Sequence, residues 1–196
     1  SGEVGANASS LPSGTNYLSV TDAAGCMASS SFVVPQASPI NVNSLIEPAK
    51  CYGDSSGRIE LQLSGGTAPY QVNWSDGISA AIRTMLASGN YTYQAVDQAG
   101  CILNGTVFVG QPSEALQDQT EVTADYCGTG TGSITAIVRG GTGQYQYSWN
   151  SLPNETDPIA GGLGSGTYSV SVSDSNGCTA SSTATLPNYQ PITAIL

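Results

Sequence analysis

Sixteen residues, Leu86 to Cys101 (LASGNYTYQAVDQAGC), recur as LPSGTNYLSVTDAAGC from Leu11 to Cys26 and as LGSGTYSVSVSDSNGC from Leu163 to Cys178. Leu, Ser, Gly, Asp, Gly and Cys hold the same offsets in every copy, and the copies start 75 and then 77 residues apart. A period of that length sets the unit of folding before any single residue is interpreted. The boundaries that follow are a partial unit over 1–38, complete units over 39–112 and 113–190, and the start of a further unit over 191–196. The first residues, SGEVGANASS, have neither the basic start nor the apolar run of a signal peptide. The chain therefore reads as a piece of a longer array whose targeting signals lie outside it.

Within a unit the hydrophobic period is two, which is a strand period. Ile59, Leu61 and Leu63 alternate with polar residues, as do Tyr70, Val72 and Trp74, and Tyr91, Tyr93 and Ala95. The second unit repeats the plan with Ile134, Ala136 and Val138, then Tyr145, Tyr147 and Trp149. These residues form the expected core. Gly65-Gly66-Thr67, Gly140-Gly141-Thr142 and Asp76-Gly77 are turn signals. Proline-bearing joints (Pro35-Gln36-Ala37-Ser38-Pro39, Gln111-Pro112-Ser113 and Pro187 to Pro191) end the strands between units. About seven short strands per unit, with no sustained helical period, predict an all-β chain of tandem immunoglobulin-like antiparallel β-sandwich repeats. Asn104-Gly105 has no turn chemistry at the matching Ser29-Ser30 and Ser181-Ser182, so a bulge within a strand is expected there.

The cysteines follow the repeat. Cys26, Cys101 and Cys178 are one position in three copies, and Cys51 and Cys127 are a second position in two. One pair per complete unit, Cys51 with Cys101 and Cys127 with Cys178, leaves Cys26 with a partner outside the chain. Regular pairing argues for disulfides and an oxidising compartment. Closing a loop of about 50 residues would stabilise each unit by roughly 4 kcal/mol in the chain-entropy model. Because Cys51 precedes the Ile59 strand, the bridge is expected to clip an end of the sandwich and not to cross its core. Zinc is the poorer reading, with no CxxC spacing and no histidine.

Composition removes several function classes. The net charge is −10 and the only cations are Lys50, Arg58, Arg83 and Arg139, too few and too scattered for a nucleic-acid surface. No apolar run approaches the ~18 residues of a spanning helix, so no membrane insertion is expected. Without histidine, Ser-His-Asp and Cys-His catalysis are impossible, and no carboxylate pair recurs as glycoside hydrolysis requires. No enzyme and no cofactor are predicted. Asp22, Asp97 and Asp174 could each offer a calcium ligand, but one carboxylate per unit is thin for an oxygen site, and Asp hydrogen-bonding its own turn explains the pattern. Asp54 could join in one unit, but Gly130 stands at the matching place. Gly128-Thr129-Gly130-Thr131-Gly132 looks like a phosphate loop but leads into a strand. Trp74 and Trp149 with Tyr70 and Tyr145 could stack on sugars, although their phase puts them in the core. Asn7, Asn73, Asn90, Asn104 and Asn154 lie in N-x-Ser/Thr sequons. The 150–158 loop, two residues longer than its counterpart, is an exposed connection and a candidate contact surface.

One pattern resembles a known family. Cys51-x-Gly53-Asp54-x-x-Gly57-x-Ile59, Gly65-Gly66-Thr67-x-Pro69-Tyr70-x-x-x-Trp74, Leu86-x-x-Gly89-x-Tyr91 and Asp97-x-x-Gly100-Cys101 together are similar to the SprB repeat. The second unit departs from it with Gln144 in place of the proline and Gly130 in place of Asp54, and the partial unit has Asn16 at the tyrosine position. The resemblance implies tandem repeats of large cell-surface adhesins of gliding Bacteroidetes, exported by the type IX secretion system. It implies an extracellular, non-catalytic stalk or filament whose partners are neighbouring repeats and surface polysaccharide or other cell-surface proteins. The alternative reading is a glycan-binding module array attached to a secreted enzyme.

Overall fold

The computed structural model describes residue 5 and residues 7–126, 128–150 and 155–189. Every regular element among them is a strand. β1 (Gly14–Thr21) and β2 (Met27–Val34) form an isolated antiparallel hairpin. The next six strands are β3 (Asn41–Glu47), β4 (Gly57–Ser64), β5 (Gln71–Trp74), β6 (Ile82–Leu86), β7 (Gly89–Val96) and β8 (Ile102–Val109). They make two three-stranded antiparallel sheets, ordered β3-β4-β6 and β5-β7-β8. β9 (Gln117–Thr123), β10 (Gly132–Arg139), β11 (Gln146–Trp149), β12 (Ile159–Leu163), β13 (Gly166–Ser173) and β14 (Thr179–Leu186) repeat the arrangement as β9-β10-β12 and β11-β13-β14. Turn spacing predicts about seven strands per unit, and the described residues of each unit hold six. The residues around Asp76-Gly77 supply a turn closed by Gly77 N–H to the Trp74 carbonyl, with only a single bridge between Asn73 and Ser79 beyond it.

Each pair of sheets encloses its own core. Ile59, Leu61, Val72, Trp74, Leu86, Val107 and Val109 form the first, with Leu63, Tyr91 and Tyr93 half-buried against it. Ile134, Ala136, Trp149, Ala160, Leu163, Val170, Val172, Ala184 and Leu186 form the second, with Val138, Tyr145, Tyr147 and Tyr168 around it. The alternation read from the sequence therefore selects the buried faces of β4, β5, β10 and β11. Tyr70 and Tyr145 sit at the margin and brace the turns. Each hydroxyl donates to the carbonyl of the first glycine of the preceding turn, Gly65 or Gly140. Leu18, Val20 and Phe32 occupy the corresponding face of the lone hairpin and are exposed, because no second sheet among the described residues covers it.

Glycine opens both β4 and β10 for a steric reason. A Cβ at Gly132 would lie 2.7 Å from the Leu163 carbonyl oxygen, and one at Gly57 would lie 2.7 Å from that of Leu86. Close approach of the neighbouring strand leaves no room for a side chain, and the ladder shifts register at the same point. The bulge expected at Asn104-Gly105 does not occur. β7 and β8 pair without interruption from Gly89 opposite Val109 to Val96 opposite Ile102. Gly105 stands opposite Tyr93, and a Cβ there would collide with the tyrosine ring. The ring lies across the glycine; in the second unit the matching pair is the smaller Val170 opposite Ser182.

Candidate functional site

The two ends of a unit are built differently, and the chemistry-bearing residues gather where one unit meets the next. At the near end, Asp97 and Asp174 close the recurring Asp-x-x-Gly-Cys turn. The Asp174 backbone N–H donates to the Cys178 carbonyl at 3.0 Å, and Gly177 N–H donates to the Asp174 carbonyl at 3.0 Å. Its Oδ1 accepts from the N–H groups of Cys178 and Asn176, both at 2.9 Å, and its Oδ2 accepts from Thr142 N–H at 2.8 Å. Asp97 repeats this with Cys101 N–H at 2.8 Å and Thr67 N–H at 2.9 Å. Asp22 binds its own turn, accepting from Ala24 and Cys26 N–H groups at 2.9 Å. The carboxylates are thus committed to backbone donors, as an Asx-type turn requires. Among the described residues no group of three or more acidic, histidine or cysteine side chains is placed to hold a metal ion.

These bonds also set the titration of Asp97 and Asp174. The Thr67 N–H bond holds Asp97 below the usual carboxylate range, aided by Cys101 and Ala99 against the opposing effect of burial. Burial pushes Asp174 upward, but the N–H groups of Cys178, Thr142, Asn176 and Gly177 outweigh it and hold the group low. A carboxylate lowered in the folded state stabilises the fold above its unfolded pKa, near 3.9, and that contribution fades as pH falls through the folded value. The expected urea midpoint is level from pH 7 to about 5 and declines below about 4, and Asp174→Asn should flatten that acid limb. Asp118, which burial raises, works with the opposite sign and softens the decline. A midpoint that held level down to about pH 2 would contradict this account.

At the far end, the loop after β3 carries Cys51. Asp54 accepts from Cys51 N–H at 3.2 Å and from Ser56 N–H at 3.2 Å. The second unit has Gly130 at the Asp54 position, and its loop uses Asp125 instead, a residue outside every motif read from the sequence. Asp125 is 2% exposed. It accepts from Thr129 N–H at 3.0 Å, Gly130 N–H at 2.7 Å and the Thr131 hydroxyl at 3.2 Å. The Gly130 bond, with Thr129 and the two hydroxyls, lowers its pKa against burial. The glycine-rich 128–132 loop therefore wraps a carboxylate of its own chain, which occupies the Thr129 and Gly130 amides. The signal in the sequence was a trade: an aspartate lost after one cysteine and gained two residues before the other, where the first unit has Ala49.

The disulfide joins these ends across the junction. Cys51 is bonded to Cys178, with Cα atoms 5.7 Å apart and a sequence separation of 127, while Cys101 and Cys26 are free and exposed. The pairing of Cys51 with Cys101 is thereby corrected, and so is that of Cys127 with Cys178, since Cys178 is already bonded; Cys127 itself lies outside the described residues. The reason is geometric. The Cys101 turn sits beside residues 38–40 and 65–67, where β3 begins, and Cys51 follows the end of β3. Seven extended residues separate those ends by roughly 20 Å, whereas a disulfide needs Cα atoms within about 7 Å. Cys178, by contrast, opens the end of the second unit that faces the linker. Asn176 adds a side-chain hydrogen bond to the Lys50 carbonyl at 2.8 Å across the same junction. Ala49 N–H donates to the Gly110 carbonyl at 2.9 Å, and Gln111 Oε1 accepts from Gly53 N–H at 2.8 Å, tying the linker to the Cys51 loop. A cleft of about 330 Å³ remains at the contact, walled by Tyr52, Ala115, Leu116 and Gly141 beside the bridge.

The tryptophans belong to the cores. Trp74 and Trp149 are 4% and 3% exposed. Their indole N–H groups donate to the carbonyls of Ala80 at 2.8 Å and Asp157 at 3.1 Å. Arg83 lies over the Trp74 ring, 5.2 Å from its centre, and pairs with Asp76 at 2.7 Å, covering the aromatic face. A sugar-stacking platform needs an open ring face, which neither tryptophan offers. Within the long 150–158 loop, residues 151–154 and hence Asn154 lie outside the described residues.

Residues 43–78 and 120–154 both match the family model of the SprB repeat. These two stretches are SprB repeats. Each match begins within the first strand of a complete unit, β3 or β9, and takes in the cysteine loop, the β4 or β10 strand, the glycine turn and the tryptophan strand. No curated protein matches the sequence. Among solved structures, the N-terminal eight immunoglobulin domains of Down syndrome cell adhesion molecule align at 14% identity and a TM-score of 0.45, over 92% of this chain and 28% of that one. A C-terminal intimin fragment, in complex with the intimin-binding domain of the translocated intimin receptor, aligns at 13% identity and a TM-score of 0.46, over 76% of this chain and 65% of the fragment. The mouse nectin-like molecule 4 ectodomain aligns at 15% identity and a TM-score of 0.35, over 81% and 67% of the two chains. The chain thus spans less than two thirds of the first two. The immunoglobulin-like sandwich of the SprB repeats rests on their own strand pairing: three strands on three, all antiparallel, around one core each.

Proposed function

We propose that this chain is a non-catalytic, structural and adhesive segment of a large secreted or cell-surface bacterial protein, in which SprB repeats are set in line as a stalk or filament. The observation that carries this reading is the junction: a disulfide and a side-chain hydrogen bond tie the far end of one repeat to the near end of the next. Such an arrangement supports a chain of beads with nearest-neighbour contacts, and a disulfide suits an oxidising, extracellular setting. Its partners are neighbouring repeats along the chain and polysaccharides or proteins at cell surfaces, with surface adhesion and gliding motility as the setting. The bounds 1–38, 39–112, 113–190 and 191–196 serve as the working division into repeats.

Small-angle scattering tests the architectural half. The oxidised chain should give an elongated particle with the maximum dimension of units placed end to end, and a compact sphere would overturn the stalk. Beads coated with the chain test the adhesive half. They should be retained on surfaces of the source bacterium or its polysaccharide, and retention no greater than that of albumin-coated beads would count against it.

A further inference from the structure

The exposed thiol of Cys101 occupies the seat that, one repeat later, holds a disulfide. Around Cys178 the seat consists of the Asp174 turn, Ala115, Leu116 and Gly141, with the Cys51 loop of the preceding repeat inserted against it. Around Cys101 the same parts are present without the inserted loop. The Asp97 turn repeats the backbone bonds of the Asp174 turn and its carboxylate bonds from the cysteine and threonine N–H groups, while the Ser175 hydroxyl bond to the Thr142 carbonyl is particular to the second. Pro39 stands against Gly65 as Ala115 stands against Gly140, each with its carbonyl oxygen where a Cβ would have to sit. Gly66 faces Asp97 and Ile40 as Gly141 faces Asp174 and Leu116. Ile102, next to the thiol, is exposed. One difference is evident: Ala99 replaces Asn176, so the hydrogen bond to the incoming loop's backbone is missing and the covalent bond is left as the main tie.

We infer that Cys101 is a covalent docking site for a Cys51-type loop, the Cys-x-Gly segment at the far end of another SprB repeat placed immediately before it, so that consecutive repeats are stapled each to the next. This deepens the array reading and rests on it. The bond forms when the Cys101 thiol and the incoming cysteine thiol together lose two protons and two electrons to a disulfide oxidant. The oxidant's own S–S bond is reduced to two thiols in the exchange.

The test lengthens the full chain by one repeat. A second copy of residues 37–112 is inserted between Pro112 and Ser113, which preserves the linker register, and is marked by Lys50→Arg and Ile102→Val. Cys26→Ser and Cys127→Ser remove the cysteines that take no part in the tested pairs. After refolding in oxidised and reduced glutathione, non-reducing peptide mapping should find the upstream Cys51 joined to the inserted Cys101, and the inserted Cys51 joined to Cys178. Free thiol should fall to a single residue, the upstream Cys101, and Cys51→Ser in the upstream copy should return the inserted Cys101 to the free pool. An inserted Cys101 that stays free, or that joins the Cys51 of its own repeat, overturns the proposal. If scattering then still shows a longer particle, the array reading stands without the staple, and a compact particle removes both. Should the insertion not fold, the unmodified chain is equilibrated in the same buffer with a synthetic peptide of residues Glu47–Arg58. Capture at Cys101 several-fold above that of a scrambled peptide supports the docking site, and equal capture overturns it.

Discussion

Ile134→Ala is expected to destabilise the second repeat by about 2–5 kcal/mol, the range for removing a large aliphatic side chain from a packed core. Ile134 is 0% exposed and lies among Ala136, Trp149, Val172 and Leu186, on a strand paired on both sides. Such a site has little freedom to collapse into the space left behind. Its counterpart Ile59 is also 0% exposed in the other core. Because the cores are separate, the two substitutions should act on different transitions. Trp149 buried beside Ile134 and Trp74 beside Ile59 provide one fluorescent reporter each, read singly in chains where the other is replaced by phenylalanine. Urea unfolding of Ile134→Ala should move the Trp149 midpoint far more than the Trp74 midpoint, and Ile59→Ala should do the reverse. Equal shifts at both reporters would mean that the two sandwiches unfold as one.

Removing the bridge should have the second large effect. Cys51→Ser with Cys178→Ser opens a ring spanning 127 residues, and the chain-entropy model assigns such a closure up to about 5 kcal/mol. Neither cysteine is part of a core cluster, so both sandwiches should keep their native near-ultraviolet signals without denaturant. Both tryptophan reporters should nonetheless show a lower urea midpoint, and scattering should show a wider spread of dimensions as the junction loosens. An unchanged midpoint would mean that the ring contributes nothing to the unfolded-state entropy. Treatment of the unaltered chain with a reductant should reproduce the double variant.

Much of the fold was legible because its signals are local. The alternation of Ile59, Leu61 and Leu63, the glycine turn after them and the phase of Trp74 all follow from a two-residue strand period, and a second copy supports each reading. The cysteine pairing was not legible for a specific reason. A repeat labels positions, and joining Cys51 to the later cysteine of its own unit or to that of the next unit satisfies the same periodicity. Only the path of β3 separates the two, by placing the Cys101 turn and the Cys51 loop at opposite ends of the sandwich. Asp125 was missed for a related reason. Comparison by position registers Gly130 as a loss, while the physical requirement is a carboxylate inside the loop, supplied from either side of the cysteine. Gly105 misled in the opposite direction: its role is to accommodate the ring of Tyr93 on the neighbouring strand, which no nearby residue reveals.

The bridge also decides how the molecule answers a pull. Tension applied along the chain reaches Cys51 and crosses directly to Cys178, so every residue from Tyr52 to Gly177 hangs slack behind a covalent shortcut. Roughly 440 Å of contour, at about 3.5 Å per residue, is withheld from extension. Even if both sandwiches were torn open, the tether would not release that length while the sulfur bond held. A load applied along the chain would therefore meet a cable of nearly constant length, and its compliance would be set by redox conditions more than by the strength of the sheets.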